Sequence, residues 1–588
     1  MNRRDFMRLT GVTAAMATHR SAFAAKPARR PPNVLLILTD DQGWGDIHSH
    51  GNDKLDTPVL DRLAADGARF DRFYVSSVCA PTRAALLTGR YHLRTGSVWV
   101  THGWEVMRGE EVTIAEALRQ AGYATGGFGK WHNGAHYPYH PLGQGFDEFF
   151  GFCAGHWNNY FSTTLEHKGK PLATEGYITD VLTDAALAFI EEHRRRPFFC
   201  YVAYNAPHGP FQVPDRYFDR YKARDLDDLT AAVYGMVANI DDNVGRLLAK
   251  LDESGLANNT IVLFATDNGA NTDRYNDGMK GRKGSVDEGG VRVPLFIRWP
   301  GVIRPGTVVR HIAAHIDLFP TLIQLCAVLM PDTLPLDGIS LAPLLTDQPD
   351  AWPERLLFSH QSRRGEVQRA PGAVRTDRHR LLVKDKGYEL YDMLADPGQQ
   401  HDIAPDNPDR VRELAAAYDA WFADVTRAGF ARPPIPVGYP QAPLVEMPAP
   451  EANLHGNVRF MGGIGWANDW LTNWQSTDDY VSWELDVVRG GRYEVTLMYT
   501  CPKTDVGSRI RVEIGAQAAE VVVDRAHDPE PIPSPDRVPR GEVYEKVWAP
   551  LRAATVQLPK GRTQLTVRAL TKPGQAVMDL KAVRLRRV

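Results

Sequence analysis

Apolar residues run along this chain in two rhythms. Asn33-Val34-Leu35-Leu36-Ile37-Leu38-Thr39 is an unbroken apolar run of strand length. Pro197-Phe198-Phe199-Cys200-Tyr201-Val202-Ala203-Tyr204 and Thr260-Ile261-Val262-Leu263-Phe264-Ala265-Thr266 repeat its character. A run without a period of two is what a strand shows when helices cover both faces of its sheet. Between these runs, Thr57 to Asp66, Thr113 to Ala121, Thr179 to His193 and Leu229 to Ser254 are amphipathic at helical spacing. Strands alternating with such helices predict a largely parallel sheet in an α/β fold. Pro294 to Trp299 and Ile312 to Leu325 continue that pattern, giving a domain over residues 32–350.

From residue 351 to 435 the texture changes to short strand-like pieces and one helix, Asp409 to Ala428, which predicts a small α+β subdomain. Residues 436–450 are rich in proline and read as a linker. Residues 451–588 alternate like exposed antiparallel strands, as in Tyr480-Val481-Ser482-Trp483-Glu484-Leu485-Asp486-Val487, and predict a β-sandwich of jelly-roll type. Trp466, Trp470, Trp474 and Trp483 follow one another there. They read as core or docking residues in preference to a sugar-stacking platform, because large aromatics are mostly buried.

Composition narrows the function. With 43% hydrophobic and 24% charged residues the chain is globular material. Its 68 Lys+Arg against 71 Asp+Glu leave a net charge of −3, which argues against a global surface for nucleic acid but leaves room for a local basic pocket. No apolar run reaches the roughly 18 residues that a membrane span needs. Five cysteines are too few for a disulfide scaffold, and their odd number leaves at least one thiol unpaired. At the start, Met1-Asn2-Arg3-Arg4-Asp5-Phe6-Met7, the apolar stretch Leu9 to Ala17 and Ala22-Phe23-Ala24 resemble a twin-arginine export signal over residues 1–24. That resemblance implies a bacterial protein that is periplasmic or secreted.

Two buried-type strands end in acid. The first runs into Asp40-Asp41 and the Thr260 run into Asp267-Asn268-Gly269. Ligands of open α/β sheets gather at the carboxyl ends of strands, where oxygen side chains from two strands form a cage for Ca²⁺ or Mg²⁺. Each pair read alone also fits a turn or a helix cap. Next comes Val78-Cys79-Ala80-Pro81-Thr82-Arg83-Ala84-Ala85-Leu86-Leu87-Thr88-Gly89-Arg90, which as a bare pattern is a cysteine beside a helix start.

This string resembles the sulfatase signature, Cys-x-Pro-Ser/Thr-Arg followed after four residues by Thr-Gly-Arg. By motif the resemblance to the formylglycine-dependent (type I) sulfatases runs from about Asn33 to Ala404. It implies an alkaline-phosphatase-like fold and oxidation of Cys79 to formylglycine by a formylglycine-generating enzyme. It also implies a divalent cation on Asp40, Asp41, Asp267, Asn268 and the oxygen of residue 79. Gly129-Lys130-Trp131-His132 and Ala206-Pro207-His208 match boxes that carry active-site residues. Lys280-Gly281-Arg282-Lys283-Gly284 matches the region of a sulfate-contacting lysine, and the spacing to Glu288-Gly289-Gly290 favours Lys283 over Lys280. Thr82 stands where serine is commoner, and Asn133 where a leucine is usual.

The chemistry of a sulfate monoester assigns roles to these residues. Lys130 and Lys283 supply fixed positive charge, and Arg83, one helical turn from residue 79, orients the nucleophile. His208 is expected to protonate the leaving alcohol and His132 to act as base. An all-oxygen donor set points to Ca²⁺. The expected substrate is a sulfated polysaccharide or oligosaccharide. The rival readings are a phosphodiesterase or phosphonate monoester hydrolase of the same superfamily, and a non-catalytic carbohydrate-binding protein.

Overall fold

The computed structural model describes residues 30–346 and 352–588, so the signal-like residues 1–24 lie outside the described residues. A ten-stranded mixed sheet forms the catalytic domain's centre, in the order Thr307–Val309, Ala68–Phe70, Leu295–Arg298, Thr260–Thr266, Asn33–Thr39, Phe198–Ala203, Ala124–Lys130, Glu148–Phe152, Thr164–His167, Lys170–Ala173. The five strands from Thr260–Thr266 to Glu148–Phe152 are mutually parallel. Leu295–Arg298 pairs antiparallel on one flank and Thr164–His167 on the other.

The apolar run 33–39 divides its side chains between two cores. Leu35 and Ile37 pack with Leu182 and Phe189 of helix Ile178–His193 and with Met236, Ile240 and Val244 of helix Asp228–Glu253. Val34, Leu36 and Leu38 face the other way, toward Leu86 and Leu87 of helix Cys79–Thr88, Leu118 of helix Ile114–Gln120 and Leu322 of helix Leu318–Leu325. Successive side chains of a strand point to opposite faces, so a strand buried on both sides must be apolar throughout. Because the central strands are parallel, their carboxyl ends open on one edge of the sheet.

A second sheet, Leu357–His360, Gly372–Arg375, His379–Val383 and Tyr388–Asp392, is antiparallel throughout. Helix Pro408–Val425 covers it with Leu414, Tyr418 and Trp421. A buried ionic knot fixes this subdomain to the catalytic domain. Glu288 accepts from Tyr74 Oη at 2.8 Å and from Arg380 Nε at 3.1 Å, while Arg375 Nε donates to the same Tyr74 hydroxyl at 2.8 Å.

The C-terminal domain is a sandwich of two six-stranded sheets around one apolar core. Its limits correct the expected linker. Ile435–Val437 pairs with Tyr480–Val487, and Leu444–Pro448 pairs with Asp579–Arg587, so residues 436–450 belong to the sandwich. Val445, Met447 and Ala449 are buried, whereas Leu444 and Glu446 face out. Proline is tolerated here because Ile435–Val437 is an edge strand and Pro448 ends its own. Trp474 and Trp483 are core residues, as the sequence favours; Trp470 is buried against Trp548 at 5.4 Å. All five cysteines are free.

Candidate active site

Four parallel strands deliver the chemistry to one edge. Asp40 and Asp41 follow Asn33–Thr39, Asp267 and Asn268 follow Thr260–Thr266, Lys130 closes Ala124–Lys130, and His208 lies in the loop after Phe198–Ala203. Gly129 lets Lys130 arrive: its φ is +113°, and a Cβ there would lie 2.0 Å from the carbonyl oxygen of Ala203. Asp41 and His132 also hold left-handed φ values of 67° and 62°, which side-chain-bearing residues rarely adopt outside constrained sites.

Cys79 is the first residue of helix Cys79–Thr88, all ten of whose residues are buried. Burial pushes its thiol pKa up. Arg83, one turn on, donates to Asp267 Oδ2 from Nε at 3.1 Å and Nη2 at 2.8 Å, and to the Lys130 carbonyl from Nη1 at 2.9 Å. Asn133, in place of the usual leucine, donates to the Ala80 carbonyl at 3.0 Å and so steadies the start of the helix. Thr82 Oγ1 ties back to the Ser76 carbonyl at 3.2 Å.

The charged groups interlock. Lys130 Nζ lies 2.5 Å from Asp40 Oδ2, Lys283 Nζ 2.6 Å from Asp41 Oδ1, and Asn268 Nδ2 donates to Asp41 Oδ1 at 2.8 Å. Burial alone would raise the Asp41 carboxyl, but Lys283 and His208 hold it well below the ordinary value. Asp267 goes the other way, raised to about 6 by burial and by the Asp40 carboxylate. The structure therefore brings Lys283 into the site. Lys280 instead meets Glu389 at 3.1 Å and Tyr391 Oη at 2.9 Å.

A cation fits this cluster. Asp40 Oδ1, Asp41 Oδ2 and Asn268 Oδ1 are buried acceptors without a hydrogen-bond donor among the described residues. Ligand atoms of Asp40, Cys79 and Asp267 lie within 4.8 Å of one another, as do those of Asp40, Asp41 and His208. Three unpaired buried oxygens beside crowded carboxylates are the donor set of a hard cation.

Both histidines have assignable tautomers. His132 Nε2 meets the Val100 carbonyl at 2.9 Å, which places its proton there and leaves buried Nδ1, without a partner, as the acceptor. Burial and Lys130 keep that ring neutral, far below the usual histidine value. His208 Nδ1 meets the Gly209 carbonyl at 2.7 Å, and Nε2 points at Asp41 Oδ2 from 3.7 Å. Burial and Lys283 lower His208 to about 4.

The sandwich docks on this edge through residues that no motif marks. Asn468 donates to the His156 carbonyl and Arg540 to that of Asn158, each at 2.8 Å. Thr101 donates to the Gly465 carbonyl at 2.8 Å, and His136 meets Glu451 at 3.0 Å. Glu542 reaches furthest: a Cβ on Gly209, next to His208, would lie 2.6 Å from its Oε1. Nothing local in a loop so distant along the chain marks such a contact.

Comparison with known proteins agrees with this geometry. The family model described as Sulfatase matches residues 32–328, and that described as N-sulphoglucosamine sulphohydrolase, C-terminal, matches residues 282–418. N-acetylgalactosamine-6-sulfatase of Mus musculus is 35% identical over 364 residues, covering 55% of this chain and 67% of that protein. Arylsulfatase A of Homo sapiens is 34% identical over 414 residues, covering 63% and 78%. The solved structure of Ps i-CgsB in complex with k-i-k-neocarrahexaose superposes with a TM-score of 0.65 at 30% identity, over 69% of this chain and 95% of that one.

Proposed function

The chain belongs to the sulfatase family, and from that premise we propose that it removes sulfate from a sulfated oligosaccharide or polysaccharide through an oxidised Cys79 and one bound Ca²⁺. It is a sulfuric ester hydrolase, like its curated relatives. The observation that carries the finer reading is the set of unpaired buried oxygens of Asp40, Asp41 and Asn268 around the Cys79 helix start. Asp40, Asp41, Asp267 and Asn268 would hold the cation. Oxidised to formylglycine and hydrated, residue 79 would supply a hydroxyl nucleophile, and the cation Lewis acidity toward sulfate.

The remaining work falls to side chains of known position. Lys130 and Lys283 place two ammonium groups beside Asp40 and Asp41, where the sulfate's negative charge would sit. Arg83 is held by Asp267 and the Lys130 carbonyl, so its orientation toward residue 79 is fixed before substrate arrives. His132, neutral with Nδ1 bare, is the base. His208 gains a second proton only against burial and Lys283, so it serves as the acid once an anionic ester offsets that charge.

A carbohydrate substrate is supported by the likeness to N-acetylgalactosamine-6-sulfatase and to the complex of Ps i-CgsB with k-i-k-neocarrahexaose. Residues 1–24 support export to the periplasm or beyond, after maturation by a formylglycine-generating enzyme. The test compares turnover of an aryl sulfate and an aryl phosphate by the protein and its Cys79→Ser variant. The expected result is preference for the sulfate and a loss of at least ~1,000-fold in the variant, because serine forms no aldehyde hydrate. Undiminished turnover by Cys79→Ser would refute the route, and preference for the phosphate would refute the substrate.

A further inference from the structure

Where the sandwich meets the catalytic domain there is a cleft of about 290 Å³. Trp99 and Arg364 come from the catalytic side, Arg459, Phe460 and Ile464 from the sandwich. That size is at the small end of ligand clefts, which run from roughly 300 to 1,000 Å³, and suits one sugar residue with its substituents. The sandwich wall of the cleft lies beyond residue 418, where neither family model reaches.

Three observations give the cleft a chemistry. First, Arg364 and Arg459 reach it from different domains, and among the described residues neither side chain has a hydrogen bond or an ion pair. Sandwich arginines that face the catalytic domain are satisfied: Arg537 pairs with Asp215, and Arg540 bonds the Asn158 carbonyl. Both side chains are exposed, so each guanidinium is free to turn its fork of donors toward an anion that enters the cleft. Second, Arg364 is held in the left-handed region, with φ 52°, in a tight turn closed by two backbone hydrogen bonds between Arg363 and Glu366. The following Gly365 is wedged on Trp104: a Cβ there would lie 2.4 Å from Trp104 Nε1. The constrained turn fixes where the Arg364 side chain leaves the backbone at the cleft. Third, the walls carry the rings of Trp99 and Phe460, and aromatic faces stack on the apolar face of a pyranose.

The cleft also adjoins the catalytic site. Val100, which follows Trp99, offers the carbonyl that His132 Nε2 meets at 2.9 Å. We propose that this interdomain cleft is a second binding site, for a sulfated or carboxylated sugar residue of the same glycan whose sulfate ester occupies the catalytic pocket. The proposal rests on the sulfatase reading above and extends it to a neighbouring residue of the substrate. It gives the sandwich a direct part in choosing substrate.

The test uses the full-length protein and its Arg364→Gln/Arg459→Gln double variant, with two readouts. One is turnover of a small aryl sulfate; the other is binding to an array of hexasaccharides in sulfated, uronate-bearing and neutral forms. The expected result is that anionic hexasaccharides retained by the parent bind about tenfold more weakly for each arginine removed, a charge-assisted contact being worth about that factor. Neutral forms should be unaffected, aryl sulfate turnover should fall far less, and Arg364→Lys/Arg459→Lys should restore part of the binding. The sulfated and uronate-bearing arms decide which anion the cleft prefers. Undiminished retention by the double variant, equal loss on both readouts, or no preference of the parent for anionic forms would overturn the proposal. A parent inactive on aryl sulfate would instead refute the sulfatase reading, with the array result still standing.

Discussion

Removing the charge of Glu288 should unfasten the small subdomain from the catalytic domain. Glu288 is 1% exposed, with Arg380 at 2.8 Å and Arg375 at 3.9 Å from its carboxylate, and both arginines are buried as well. Glu288→Gln leaves the Arg380 and Arg375 guanidinium groups in the interior without the carboxylate they share. Breaking a buried pair in this way costs about 3–5 kcal/mol. At ~2 °C for each kcal/mol in a large domain, melting should fall by roughly 6–10 °C. The effect should depend on pH in a defined direction. Burial pushes the Glu288 carboxyl up, but Arg380 and Arg375 outweigh it and hold it below the ordinary value. A carboxyl depressed by folding contributes stability that is complete above its unfolded value, about 4.3, and is lost as pH falls through the folded value. Melting of parent and variant, followed calorimetrically from pH 7 to pH 3, should therefore differ by a constant amount near neutrality and converge in acid. A variant melting within about 1 °C of the parent at pH 7, or a gap that persists undiminished in acid, would refute the reasoning.

Asp267→Asn keeps an oxygen for Arg83 but removes a charge from the cation cluster, so Ca²⁺ affinity measured by titration calorimetry should fall at least ~10-fold. Unchanged affinity would place the cation elsewhere. A chain ending at Gly429 keeps every catalytic residue but loses Glu542 and the sandwich's hold on the His156 and Asn158 carbonyls. Its aryl sulfate turnover should fall at least ~10-fold, since catalytic geometry is sensitive to small displacements; full turnover would reduce the sandwich to a targeting role.

The parts of this molecule written in short stretches of chain could be read from the sequence. The runs at Asn33–Thr39, Phe198–Ala203 and Thr260–Thr266 are apolar throughout because helices press on both faces, and that signal is local. Their acidic ends are local too, so Asp40, Asp41, Asp267 and Asn268 could be proposed together before their mutual distances were known. Lys283 could be separated from Lys280 by spacing, and the structure gives the reason: one meets Asp41, the other Glu389. Strands hidden among prolines were harder. Leu444–Pro448 buries only alternate residues, and its pairing partner lies at the end of the chain. Contacts made by folding one domain onto another, Glu542 on Gly209 or Asn468 on the His156 carbonyl, have no signature in either segment alone.

Whether residue 79 is a thiol or an aldehyde decides the central claim. The measurement is the mass of the peptide spanning Cys79, from protein matured in an exporting bacterial host and shown to turn over aryl sulfate, with a hydrazide probe to tag any aldehyde. The expected result is a peptide whose thiol has been replaced by an aldehyde that takes the probe. A fully active preparation in which Cys79 remains a thiol, alkylated in full and untouched by hydrazide, would contradict it.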